Sequence, residues 1–274
     1  MSKRLADGLF TALYIGLIAG AALFLLIPVV VSLILSFDAR SFIGPFPPKD
    51  FSLRWYREFF NDSYYHAGLM TSLYIATVAT LVSTVTGALA AIALDRLQFR
   101  GRDILQALFL SPLIIPSVII GFSVLIFAAR LGIIDGMPRL LMGHILITFP
   151  YVLRATLATL KGIKPSYYEA ALSLGATPAQ ALWHVILPLA RTGILAGAIF
   201  AFIISFDEVG VSLFLSDSFS YTLPVALLAQ MHANLNLTVA AVSVLFILVT
   251  MVLIWILDRV AGLDKVVGTG VYGR

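Results

Sequence analysis

Side chains that could carry out chemistry are few in this sequence, and they stand far apart. The chain has no cysteine, which excludes disulfides, thiolate chemistry and cysteine-ligated metal sites. No Gly-x-x-x-x-Gly-Lys-Ser/Thr loop occurs either, so the chain lacks the pattern that cradles the phosphates of ATP. The histidines are too dispersed to predict a metal centre, and we interpret His144 as a packed or interfacial side chain. The four are His66, His144, His184 and His232.

Asp207 and Glu208 form an acidic pair next to a long apolar run. The uncharged run before them, residues 192–206, would reach about 22 Å as a helix, which is short of the roughly 30 Å hydrocarbon core of a membrane. We therefore expect the helix to continue through Leu215, with both carboxylates inside the span toward its outer half. Carboxylates inside a span usually face a cavity or a partner, so the pair is a candidate lining for the path of a cation. The alternative is a structural boundary at the outer end of a short, tilted helix.

The segment that follows this pair is acidic as well. Residues 207–232 contain three acids and neither lysine nor arginine, which predicts an acidic vestibule. Neighbouring residues on a helix point about 100° apart, so at most one of Asp207 and Glu208 needs to face the path.

The elements that position these residues follow from the hydropathy of the chain. Of its 274 residues, 60% are hydrophobic and 12% are charged, and the mean hydropathy is +1.00. This composition excludes an ordinary soluble enzyme and a disordered chain. It predicts an all-α membrane protein, with one transmembrane domain over residues 1–274 and six transmembrane helices. The six spans are expected at residues 10–37, 67–94, 104–129, 140–160, 189–216 and 233–257.

The basic residues favour one orientation in the membrane. Of the 18 lysines and arginines, 12 lie on the side of the two termini. Because the cytoplasmic side of a membrane protein is enriched in these residues, we expect a multi-pass protein of a bacterial inner (plasma) membrane with both termini cytoplasmic. The long outer loop, residues 38–66, is rich in aromatic residues and predicts an interfacial helix.

Residues 161–188, on the inner side between the fourth and fifth spans, predict two short helices. Pro165 suits the first turn of the first helix, and residues 167–174 are a good helical run. Gly175 suits a left-handed cap at the end of that run.

The second of these short helices has its own start and stop signals. Thr177 followed by Pro178 is an N-cap and first-turn pair. Pro188 is expected to end this helix or to kink it into the fifth span. A compact knob of this kind at the membrane face could fit a cleft in a cytoplasmic partner.

The spacing of residues within this segment is specific. Glu169-Ala170-Ala171 is followed after three residues by Gly175, and after nine more by Val185, one residue, and Leu187-Pro188. The arrangement resembles the EAA loop of ATP-binding-cassette importer permeases, in which an isoleucine stands at the position of Val185. We call residues 161–188 the EAA-like segment.

The resemblance implies a type I importer permease fold and a set of partners. Two permease subunits would pair around the solute path, two ATPase subunits would bind ATP and magnesium below them, and an external binding protein would deliver the solute. This chain would then hold no cofactor and catalyse no reaction. By the same resemblance Glu169 is the polar contact with the ATPase, Ala170 and Ala171 permit close packing, and Gly175 makes the turn. The implied ATPase-coupling set also includes Leu187 and Pro188.

Three looser patterns resemble the spermidine/putrescine group of these permeases. They are residues 111–116, residues 149–154, and residues 205–209 with 222–224. This resemblance implies a polyamine cargo, such as putrescine or spermidine, and a related but distinct second permease. Relatives that carry other solutes share the patterns, so another small organic solute stays open.

Two other classes of protein compete with the importer. An ion-coupled secondary transporter could use Asp207 or Glu208 as its ion site, but it would need an inverted repeat, and we find no convincing one between residues 1–137 and 138–274. A membrane-embedded enzyme would require histidines and carboxylates clustered at the interface. Pro112 and Pro116 could break the third helix beside a solute path, or merely kink it.

Overall fold

A computed structural model describes residues 3–42, 44–233 and 236–261, and the side chains of 10–42, 44–233 and 236–259. The predicted all-α class is confirmed: within these ranges the only extended pairing is an isolated bridge between Asp38 and Phe51. The α-helices are α1 Lys3–Leu35, α2 Arg54–Asn61, α3 Ser63–Arg96, α4 Arg102–Leu110, α5 Ser117–Arg130, α6 Gly136–Lys161, α7 Pro165–Ser173, α8 Pro178–Ala181, α9 Leu187–Phe206, α10 Gly210–Leu215, α11 Leu223–Ala233 and α12 Thr238–Ala261. A 3₁₀ turn, Ser111–Leu113, follows α4, and a π-helical turn, Leu182–Ile186, joins α8 to α9.

Five helices of the described chain are each long and apolar enough to cross a membrane. A sixth crossing is reached if one sharply bent pair of helices is taken as a single span. The five are Phe10–Leu35, Ser63–Arg96, Gly136–Lys161, Pro178–Phe206 and Thr238–Arg259.

The third predicted span, residues 104–129, is not one helix. Arg102–Leu113 and Ser117–Arg130 meet at 105°, so of the two alternatives left open by Pro112 and Pro116, a break or a kink, the structure has the break. Pro116 lacks a backbone N–H and disfavours helical backbone at the residue before it. The helix therefore stops before Pro116 and restarts at Ser117, with Pro116 as its N-cap.

The fifth predicted span, residues 189–216, is also different from the expectation. The helix begins earlier, at Pro178, and ends at Phe206, and the chain is not helical again until Gly210. The predicted continuation through Leu215 is therefore wrong. We call residues 207–209 the α9–α10 break.

The described residues divide into two compact units, those within 3–63 and 230–248 and those within 64–229 and 249–261. In the first unit, Trp55 of α2 is buried against Leu237 and Ala241, and its indole N–H donates to the carbonyl of Asp38 at 2.8 Å. The helix predicted in the outer loop is therefore present as α2.

In the second unit, α6 and α9 pack closely through glycine. A Cβ at Gly197 would lie 2.8 Å from the Cα of Val152, so only glycine permits this approach of the two backbones. The hydrophobic effect does not drive helices together inside a membrane. They associate largely through van der Waals contacts, which small residues permit by letting the backbones approach closely. The pair matters for the candidate site, because α6 leads into the EAA-like segment and α9 leads out of it.

Candidate functional site

The first half of the EAA-like segment is a short helix with a glycine cap. Helix α7 ends at Ser173, and Gly175 has a φ of +90°. The N–H of Gly175 donates to the carbonyl of Leu172 at 3.0 Å, and the N–H of Ala176 donates to that of Ala171 at 3.1 Å. These two bonds form a Schellman motif, which needs a residue that tolerates positive φ. The predicted left-handed cap at Gly175 is confirmed.

The second half starts with a complete capping box. The hydroxyl of Thr177 accepts from the N–H of Gln180 at 3.3 Å, and the Gln180 side chain accepts from the N–H of Thr177 at 2.8 Å. Helix α8 then widens into the π-helical turn and continues as α9. The turn accommodates Pro188, which has no N–H to donate to the carbonyl four residues earlier and would crowd it. Pro188 therefore lies inside one long helix and does not end it.

The EAA-like residues differ in exposure. Glu169, Ala170, Gly175 and Pro188 are exposed, and Ala171 is half-buried. Within the described part of the chain, the Glu169 carboxylate has no hydrogen-bond or ion-pair partner. Leu187, in contrast, packs inward against the buried core. The segment thus presents an exposed acidic residue beside small ones.

The base of the segment is anchored in ways that the sequence did not reveal. Tyr168, the neighbour of Glu169, packs on the core cluster, and the guanidinium of Arg96 lies 5.0 Å from the centre of its ring. A cation over an aromatic face is attracted by the ring quadrupole. Arg96 ends α3, which is distant in sequence, so no local signal could have found this contact.

Asp207 and Glu208 lie at the α9–α10 break, and the structure separates their roles. Asp207 is exposed, and its carboxylate makes no hydrogen bond or ion pair with the described residues. Glu208 is half-buried, and its Oε1 accepts from the backbone N–H of Val211 at 3.0 Å, in the first turn of α10. Such local bonding offers the backbone an alternative to a continuous helix.

Tertiary contacts hold the break in place. A Cβ at Gly210 would collide with the side chain of Ser117, and one at Gly121 would lie 2.9 Å from the Cα of Val211. The start of α10 is therefore pressed against α5, which itself starts at a break. His144 of α6 is buried beside the same segment.

Asp217, the third acid of the predicted vestibule, binds backbone N–H groups and an arginine of this chain. Its carboxylate accepts from the N–H groups of Gly136 at 2.6 Å, Phe219 at 2.9 Å and Ser220 at 2.7 Å. Arg139 lies 3.7 Å away. Partial burial raises the pKa of Asp217, but these N–H bonds and Arg139 outweigh it, so the pKa is lower than the ordinary 3.8. Of the three acids, Asp207 is the one whose carboxylate makes no hydrogen bond or ion pair with the described residues.

We expect Asp217→Asn to lower the free energy of unfolding by about 1–2 kcal/mol, because bonds to a charged acceptor are stronger than bonds to an amide. A depressed pKa stabilises the fold at pH values above the pKa of the unfolded state, and this stabilisation is lost as the pH falls through the folded-state pKa. The difference in free energy of unfolding between wild type and variant should therefore be constant near neutral pH and become smaller below pH 3.8. Thermal unfolding in detergent at several pH values measures it; a gap that grows in acid would contradict the assignment.

Comparison with known proteins gives a family, relatives and a fold. A family model described as "Binding-protein-dependent transport system inner membrane component" matches residues 83–262. The spermidine/putrescine transport system permease protein PotC of Escherichia coli (strain K12) is 28% identical over 268 residues, which cover 98% of this chain and 97% of that protein. PotC of Haemophilus influenzae is 31% identical over 206 residues, covering 75% and 80% of the two chains.

The fold resembles that of a solved transporter. A crystal structure of a bacterial ABC transporter involved in the import of the acidic polysaccharide alginate superposes with a TM-score of 0.73 and 17% identity, covering 93% of this chain and 96% of that chain. The family model spans more than half of the chain, and the helices are those of a multi-pass inner-membrane protein. The chain therefore belongs to the binding-protein-dependent transport system inner membrane components, as a non-catalytic permease subunit of a type I ATP-binding-cassette importer.

Proposed function

We propose that this permease subunit carries a small organic cation of the polyamine class, such as putrescine or spermidine. The observation that carries the proposal is the carboxylate of Asp207 at the α9–α10 break, which is exposed and has no partner among the residues that the structure describes. A carboxylate beside an apolar span is costly unless it meets a cavity, water or a cation. The PotC relatives, named for spermidine and putrescine, support the same cargo.

In this proposal the two neighbouring carboxylates have different tasks. Asp207 attracts the ammonium group of the solute, because it has no other partner in the described chain. Glu208 holds the first turn of α10 through its bond to Val211. A broken helix can place polar groups beside a solute path, since irregular backbone in a membrane is tolerated where it lines a cavity.

The EAA-like segment is the proposed contact with the ATPase. Glu169 meets basic residues of that partner, while Ala170, Ala171 and Gly175 keep the surface small enough for close approach. Leu187 and Pro188 belong to the same coupling set, at the point where the segment joins α9. The segment and both termini are then cytoplasmic, in agreement with the distribution of lysine and arginine.

The proposed assembly contains this chain, a distinct permease homologue, two ATPase subunits and an external binding protein. ATP binding closes the ATPase pair and draws the two EAA-like segments together. The permease pair then opens outward and accepts the solute from the binding protein, and hydrolysis resets it. All ATP chemistry takes place on the partner subunits.

The first experiment is an ATPase assay of the assembled complex in lipid. Candidate binding proteins are added empty or loaded with putrescine or spermidine. Stimulation by a loaded polyamine-binding protein supports both the assembly and the cargo. Stimulation by another loaded binding protein alone would keep the importer and overturn the polyamine cargo.

Single substitutions test the roles of the two carboxylates. We expect Asp207→Asn to raise the KM for a cationic solute about tenfold, because a charge-assisted contact becomes a neutral one. Glu208→Gln is the matched control, since the amide oxygen can still accept from Val211, and its KM should stay close to wild type. Uptake against solute concentration gives both values. An unchanged KM in Asp207→Asn would assign Asp207 to a structural boundary.

A further inference from the structure

His144 is a buried histidine that bridges the two sides of the α9–α10 break. It lies on α6 and its side chain has no solvent exposure. Its Nδ1 is 2.7 Å from the hydroxyl of Ser205, in the last turn of α9. Its Nε2 is 3.0 Å from the hydroxyl of Ser212, in the first turn of α10. One ring therefore joins the helix before the break to the helix after it.

The donors and acceptors around His144 determine which atom donates in each of its two hydrogen bonds. Ser212 Oγ lies 2.9 Å from the carbonyl oxygen of Glu208, which can only accept, so the single hydroxyl proton of Ser212 points there. Ser212 must then accept from His144, which places the ring proton on Nε2. In the neutral ring Nδ1 is the acceptor, so the hydroxyl of Ser205 donates to it. Each donor in this series of hydrogen bonds, from Ser205 through His144 and Ser212 to the carbonyl of Glu208, then has an acceptor.

The network continues away from the break. Thr148 Oγ1 is 2.7 Å from the carbonyl of His144 and 2.7 Å from the hydroxyl of Ser83, on α3. Helix α6 itself runs on to Lys161, where the EAA-like segment begins. The backbone of Glu208 is thus tied to the helix that enters this segment. A buried network in which each group is paired fixes one arrangement of its helices.

We propose that His144 is a positioning residue that holds the α9–α10 break, and with it Asp207 and Glu208, against α6. Its effect on solute handling rests on the proposed function of Asp207. The holding of the break does not rest on that function. His144 itself need not touch the solute.

The natural absence of cysteine allows a direct test. A nitroxide is attached to Val209→Cys, at the break, in the full importer assembled in lipid with cysteine-free partner subunits. Spectra are compared for His144, His144→Leu, His144→Gln and His144→Asn. The amide nitrogen of Gln replaces the donor at Nε2, and the oxygen of Asn replaces the acceptor at Nδ1. A label at Ala129→Cys, exposed on α5, is the control.

We expect His144→Leu to add a mobile component to the spectrum at position 209 and none at position 129. His144→Gln should keep more of the wild-type spectrum than His144→Asn, because it retains the bond to Ser212 beyond the break. Uptake should fall about tenfold in His144→Leu and recover in part in His144→Gln, since Leu removes both bonds of the ring whereas Gln keeps the bond to Ser212. If Leu abolishes assembly, the Gln and Asn variants still give the comparison. Identical spectra at position 209 in all variants would overturn the proposal.

The same samples separate this inference from the proposed function. A mobile label in His144→Leu together with normal uptake by Asp207→Asn would support the positioning role and reject the path-lining role of Asp207. An unchanged spectrum of the label in His144→Leu together with impaired uptake by Asp207→Asn would reject the positioning role of His144 and support the path-lining role of Asp207.

Discussion

Glu169→Lys is expected to weaken the binding of the ATPase subunit by about 30-fold or more, because a lysine would face the basic residues proposed to receive Glu169. The carboxylate is exposed and has no partner in the described chain, so its loss leaves nothing unpaired within this subunit. The fold and the membrane insertion should therefore be preserved. Co-purification of the ATPase, titrated with salt, measures the effect, and solute-stimulated ATPase activity should fall in parallel.

Asp103→Lys is the matched control for this variant. Asp103 is an exposed acid in the first turn of α4, outside the EAA-like segment, and the substitution changes the charge by the same amount. It should leave ATPase binding near the wild-type level. Equal losses in both variants would mean that only overall charge matters, and full binding by Glu169→Lys would remove Glu169 from the interface.

Gly197→Ala is expected to destabilise the subunit by about 2–3 kcal/mol, as overpacking of a tight interior does. The added Cβ would lie 2.8 Å from the Cα of Val152 and 3.4 Å from its carbonyl oxygen. Both are backbone atoms, so α6 and α9 must separate to relieve the contact. Because these two helices flank the EAA-like segment, the yield of assembled importer should also fall. The midpoint of thermal unfolding in detergent reports the loss.

Gly16→Ala adds the same methyl group where no neighbouring atom of the described residues lies within 4 Å. It should be neutral, or slightly stabilising through the higher helix propensity of alanine. Similar losses in the two variants would show that glycine flexibility matters at both positions, and would reject the packing explanation for Gly197.

The EAA-like segment could be read from the sequence because its signals are local. A glycine that must adopt positive φ and a threonine followed by proline each act within one turn of backbone. The structure accordingly has Gly175 at a φ of +90° and a capping box at Thr177. Of the two outcomes predicted at Pro188, an end of the helix or a kink into the fifth span, the end is excluded, because a π-helical turn lets the helix continue past it.

The fifth span could not be read in the same way. Hydropathy records where apolar residues lie, and the run on both sides of Asp207 is apolar, so a continuous helix was the natural expectation. The break at residues 207–209 depends on Glu208 bonding to Val211 and on α5 pressing against Gly210. The second of these contacts joins residues distant in sequence, and hydropathy carries no information about it.

The sequence by itself determined the class of protein, the approximate spans and the caps of the EAA-like segment, because these depend on composition and on neighbours along the chain. The tertiary structure decided which of the three acids has no partner among the described residues, since burial and hydrogen bonding distinguish Asp207 from Glu208 and Asp217. It also decided the role of His144, whose two partners lie 61 and 68 residues away. Hydrogen bonds over such separations exist only after the helices have packed, so no local pattern encodes them.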